Sequence, residues 1–282
     1  MKKLLLIGII IISLSACVRS TSTSSSDKNL TFTVNGVSFE MIFVEGGTFV
    51  MGNDYEDEEF ETFEDIRQLH NVTLSDYYMG KYELTQKLWQ AVMGTNIRQQ
   101  GQSEAFVSGY YPLYGEGDNY PMYYIDYNDC KRFCTQLNKL VANQLPDGYK
   151  FCMPTEAQWE YAARGGNKSK GYKYSGSNNR SEVAWYCDSA REVGMKKENE
   201  LGFYDMTGNV GEWCLDWWDN DYYSNSPSIN SQGPDTCSFG CWRIVRGCGW
   251  CNDFGWYVSC RGVGAPYNFY QEVGFRLVLQ KQ

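Results

Sequence analysis

Several things are scarce in this chain, and each scarcity narrows its chemistry. There is one histidine, His70, in 282 residues, too few for a histidine-built zinc site or a Ser-His-Asp hydrolase. Flanked by Leu69 and Val72, it reads as structural. Positive charge is short, 25 Lys and Arg against 34 Asp and Glu for a net −9, which argues against phosphate backbones and anionic headgroups as partners. No apolar run is long enough to span a bilayer as a helix; the stretch from Leu4 to Leu14 is too brief. Segments with helical period are few, whereas 28 Gly, 22 Tyr and 9 Trp are present. That balance favours a loop-rich fold over a helical bundle.

The first 17 residues read as a processing signal. Lys2 and Lys3 precede the apolar run, and Leu14-Ser15-Ala16 sets small residues before Cys17. This resembles a bacterial lipoprotein signal and implies lipidation of Cys17, with acyl chains as the sole membrane contact. Residues 18–29, rich in Ser and Thr, read as a flexible tether, and 30–282 as one domain. The expected location is the bacterial outer membrane, on the cell surface. Of 11 cysteines, the ten beyond Cys17 would then sit where disulfides persist, in a connectivity the sequence leaves open.

Within the domain, alternating apolar residues around Asn35-Gly36 predict a hairpin. The carboxylate-rich stretch from Asp54 to Asp65 reads as a solvated loop. A short helix is expected over Leu84 to Met93, stopped by Gly94, followed by loop from Ile97 to Asn119. A second helix is capped by Asp126, its apolar face formed by Cys130, Phe133, Cys134, Leu137 and Val141. That spacing assigns the two cysteines to the core. A third opens on a Thr155/Gln158 capping box and closes at Arg164-Gly165-Gly166.

Near the end, two apolar runs, Trp242 to Trp250 and Glu272 to Val278, read as strands bracketing an aperiodic stretch from Cys251 to Gln271. That stretch is rich in aromatics, Asn, Asp, Gly and Cys, a composition suited to a displayed recognition surface. Cys248-Gly249-Trp250-Cys251 has a Cys-x2-Cys spacing, which without a neighbouring Lys or His to activate it reads as structural or incidental.

Phe49-Val50-Met51-Gly52, Pro121-Met122, the blocks at 153–166 and 199–213, Val245-Arg246-Gly247 and Val273-Gly274-Phe275-Arg276 occur in the order and spacing of the formylglycine-generating enzyme, or sulfatase-modifying factor, family. The resemblance covers about residues 38–280. It implies an α+β variant of the C-type lectin fold, with two main helices, small antiparallel sheets and much irregular structure. Enzymes of that family oxidise a substrate cysteine with copper held by two cysteines that have four residues between them. This chain has no such pair: aligned from Arg246-Gly247 the two positions fall at Asn252 and Tyr257, and from Arg261 at Cys248 and Asp253. Neither copper nor oxidase activity is therefore expected. The family's calcium ligands match Asp205, Gly208, Val210 and Glu212, two carboxylates and two backbone carbonyls, so a structural calcium is expected; a second family calcium site falls on Ala184 and Gly194 and looks degraded.

Among family members without the cysteines, the chain resembles the variable proteins of diversity-generating retroelements, which end in the same layout of strand, diversified stretch and Gly-Phe-Arg. The resemblance implies a non-catalytic binding lipoprotein with a variable region of about 247–273. Its expected contact residues are Gly249, Cys251, Asn252, Asp253, Phe254, Trp256, Tyr257, Tyr267, Asn268, Phe269 and Tyr270, the aromatics serving as anchors. The expected partner is a protein or other cell-surface ligand, met by a monomer. A structural lipoprotein of an envelope machine and an oxidase with unusual ligands are the alternatives.

Overall fold

In the computed structural model, residues 28–53, 68–103, 111–186, 188–237, 240–251 and 256–282 are described. Cys17, the acidic stretch, Asn252, Asp253 and Phe254 lie outside them. In chain order the elements are β1 (Leu30–Val34), β2 (Val37–Val44), β3 (Gly47–Met51), β4 (His70–Leu74), β5 (Tyr77–Gly80), α1 (Gln86–Met93), α2 (Ile97–Ser103), α3 (Tyr127–Leu140), β6 (Tyr149–Cys152), α4 (Glu156–Ala163), α5 (Arg180–Val183), β7 (Gly211–Trp217), α6 (Tyr222–Asn225), β8 (Arg243–Arg246), β9 (Arg261–Gly264), β10 (Val273–Gly274) and β11 (Val278–Lys281). No described helix is long and apolar enough to cross a membrane.

The expected hairpin is β1 and β2, with Val34 opposite Val37 and Asn35 and Gly36 both at positive φ, as a two-residue primed turn requires. It opens an antiparallel sheet in the order β1-β2-β5-β11-β6. Successive strand residues face opposite sides, so Met41 joins one buried cluster with Trp89 of α1 and Phe133 of α3, while Ile42 joins another with Trp159 of α4. Both faces of this sheet are therefore core.

α3 is capped by Asp126 and α4 carries the Thr155/Gln158 capping box, both as expected; α1 stops at Gly94 as expected and is capped at its start by Thr85, which the sequence reading did not single out. Cys130, Phe133, Cys134, Leu137 and Val141 are all buried. Two expectations need correction. Ile97–Ser103 is a helix, not loop; its sequence, IRQQGQS, offers Ile97 as its only large apolar residue. The stretch after β8 is also not wholly irregular: β9 lies within it and pairs with β8, Arg246 opposite Arg261. Arg-Gly-Val-Gly is too short and Gly-rich to announce a strand. These strands form a second sheet, β10-β7-β8-β9, in which β10 and β7 run parallel.

Candidate functional site

The second sheet is held by two buried arginines. On the segment between β10 and β11, Arg276 donates from Nε to both oxygens of Glu212 (3.1 and 3.0 Å) and from Nη2 to Oε1 (2.8 Å). Its remaining N–H groups reach the carbonyls of Gly80 (3.0 Å), Lys81 (3.1 Å) and Tyr204 (2.9 Å). Trp159 Nε1–H completes Glu212 at 2.7 Å. Arg246 on β8 is ion-paired with Glu160 and Glu156, and donates to the carbonyls of Val258 and Ser259 at 3.0 Å each. Arg261 and Tyr223 also reach Glu156 (2.9 and 3.1 Å). Buried charges need to be paired, and here the partners come from four separate parts of the chain; Arg276 has every N–H partnered, whereas Arg246 Nε is buried without a partner.

This frame grips both ends of the loop that follows β8. Gly208 N–H donates to Gly247 O and Trp250 N–H to Asn209 O, 2.8 Å each, so the 205–212 turn fixes the outgoing end. Arg246, through Val258 and Ser259, fixes the returning end. His70, meanwhile, packs on Tyr223 at 4.6 Å, a structural place as expected.

The described contact candidates divide by exposure. Tyr267 is 68% exposed, Asn268 and Cys251 are exposed, and Tyr257 and Phe269 are half-buried. Tyr257 stacks on Tyr174 (5.5 Å) with Lys173 Nζ 5.5 Å from its ring. Gly249 and Trp256, both expected at the contact surface, are buried instead. A Cβ at Gly249 would stand 2.6 Å from Glu272 O, so the position has no room for a side chain. Trp256 is 5% exposed, covered by Tyr186 (5.8 Å) and Arg180 (5.6 Å). Tyr270 is half-buried against Trp213 (5.9 Å), its hydroxyl accepting from Ala265 N–H at 3.1 Å, and works as a prop. Tyr174, Arg180 and Tyr186 escaped the sequence reading because they precede the bracketed stretch by some seventy residues and carry no motif.

Two thiols also escaped it. Cys248 and Cys260 bring their sulfurs to 2.7 Å, so the Cys-x2-Cys spacing misdirects: the neighbour of Cys248 is across the hairpin. Hydrogen bonding from Cys248, aided by the charge of Arg246, holds the Cys260 thiol below the usual range. The remaining cysteines include a Cys237–Cys241 disulfide and the buried thiols Cys130, Cys134 and Cys214.

The calcium ligands are a mixed fit. Asp205 Oδ2 accepts from Gly194 N–H at 2.7 Å, and Oδ1 is buried without a partner; burial pushes this carboxyl up to about 6. An oxygen left in that state suits a hard cation. Glu212, by contrast, has both oxygens on Arg276 and one on Trp159. Val210 directs its N–H to Glu83 (3.0 Å) and Gly208 lies at positive φ beneath Trp185. Among the described residues no group of three or more His, Cys, Asp or Glu is arranged to hold a metal, so an ion here would lean on backbone carbonyls.

Residues 30–281 match the sulfatase-modifying factor enzyme 1-like domain. The chain belongs to that family. It is 33% identical over 288 residues to the chaperone protein LppX of Paenibacillus barcinonensis, a match covering 84% of this chain and 83% of that protein. To the formylglycine-generating enzyme of Streptomyces coelicolor it is 28% identical over 211 residues, covering 67% of this chain but only 59% of the enzyme. Among solved structures, Treponema denticola variable protein 1 superposes with a TM-score of 0.71 at 29% identity, covering 89% of this chain and 98% of that one. The fold is accordingly C-type lectin-like, and the family's relatives include both enzymes and a variable protein. Membership alone leaves the choice between catalysis and binding to the site.

Proposed function

We propose that this protein is a non-catalytic member of its family that grips a ligand with the exposed part of residues 248–270. The observation that carries the reading is the likeness to a variable protein over 98% of that protein's length. The chain's lack of a Cys-x4-Cys pair agrees with it. Tyr257 and Tyr267 would be the anchors, burying large area while freezing few torsions, with Asn268, Phe269 and Cys251 around them. Asn252, Asp253 and Phe254 belong to the same proposal on sequence grounds. Diversification by a retroelement, a lipid anchor at Cys17 and display at the outer membrane complete it, the partner being a protein or another cell-surface ligand. Calcium enters as a brace under the loop, on Asp205 and the carbonyls of Gly208 and Val210, with Glu212 remaining on Arg276.

The reading is tested by presenting the purified full chain with copper, oxygen and a cysteine-containing sulfatase-motif peptide. No aldehyde product is expected; oxygen-dependent conversion of the peptide cysteine overturns the proposal. Added calcium should raise the melting temperature above that in EDTA, and equal melts would remove the brace.

A further inference from the structure

We propose that Cys248 and Cys260 are a disulfide-forming pair that, when oxidised, closes the mouth of the hairpin carrying the recognition loop. They stand just beyond the last β8-β9 pair, Arg246 opposite Arg261, one on each arm, 12 residues apart and with sulfurs at 2.7 Å. Bonded sulfurs lie at about 2.05 Å, so closure asks for an approach of about 0.7 Å. Two thiolates on a tetrahedral ion with metal–sulfur bonds of about 2.3 Å would stand roughly 3.8 Å apart. The observed gap is thus nearer to a covalent link than to a metal site.

A second observation is independent of that distance. Cys248 holds φ at 56°, a left-handed conformation that costs a non-glycine residue energy. A side chain kept there at a cost needs a reason, and the sulfur across the hairpin supplies one. The chemistry is thiol–disulfide exchange with a small disulfide such as oxidised glutathione. Cys260, half-buried and the more accessible of the two, attacks as thiolate and releases one glutathione thiolate. The Cys248 sulfur then attacks the Cys260 sulfur of the mixed disulfide and releases the second. The two cysteine protons pass to the two glutathione thiolates, so one small disulfide is reduced for each protein disulfide formed.

The test equilibrates the full chain with oxidised glutathione, traps remaining thiols with N-ethylmaleimide, cleaves before Asp253 to part the two arms, and maps the peptides by mass. The arms should stay joined with the loss of two hydrogens, about 2 Da, in the wild type and in Cys251→Ser alike, and dithiothreitol should restore label at both cysteines. Cys248→Gly, which also relieves the backbone, should fold, keep the Cys237–Cys241 link and lose the cross-arm link. Label on both Cys248 and Cys260 after oxidation, or a link that vanishes in Cys251→Ser, would overturn the proposal.

Discussion

The two arginine-centred networks and the loop they hold are built from similar residue types, aromatics and polar groups in both, yet they do opposite things with them. Around Arg276 every N–H that can donate has an acceptor within about hydrogen-bond range, and the aromatic Trp159 spends its indole N–H on the same carboxylate. In the loop, Tyr267 turns toward solvent and Tyr257 lies half-buried on Tyr174. The difference teaches that residue type alone does not separate scaffold from contact surface; burial against partners from distant segments does. Arg246 joins the two regions, since it pairs with Glu160 inside the frame and holds the carbonyls of the returning loop.

The contrast can be broken most severely at Arg276. Arg276→Met should cost about 3–5 kcal/mol by leaving Glu212 buried and unpaired, read as a loss of denaturation midpoint in urea. Gly274→Ala should follow at about 2–3 kcal/mol, because a Cβ there would stand 2.2 Å from Met122 O. A smaller effect separates the regions by pH. Burial, with the neighbouring Glu156 charge, pushes Asp216 up to about 7 from its ordinary 3.8. The native state then keeps a proton that the unfolded chain releases, so this contribution is complete below about pH 4 and fades as pH rises through about 7. Asp216→Asn, which can still accept from Glu156 N–H, should therefore show a shallower decline of melting temperature across that window than the wild type. Smallest of all, Tyr267→Ala should change stability by no more than about 0.5 kcal/mol, since its ring faces solvent; a larger loss would make it part of the frame.

Much of the frame could be read from the sequence because its signals are local. The Asp126 and Thr155 caps, the Asn35-Gly36 turn and the apolar stripe of α3 each declare themselves within a few residues. The ordered blocks around Glu212, Arg246 and Arg276 gave the family and with it the fold. What stayed hidden depends on partners distant in sequence. Gly249 looks like one more variable glycine until Glu272 is seen against it, and Trp256 looks like an anchor until Tyr186 and Arg180 cover it. The thiol pair was concealed because its spacing is set by the β8-β9 register and not by any short motif.

The most direct test of a fixed frame carrying a changeable surface is to sequence the codons for residues 243–276 in many isolates. The account predicts substitutions gathered at Cys251, Tyr257, Tyr267, Asn268 and Phe269, with Arg246, Gly249, Trp256, Gly274 and Arg276 unchanged. Substitutions spread evenly along the segment, or repeated side chains at Gly249, would contradict it.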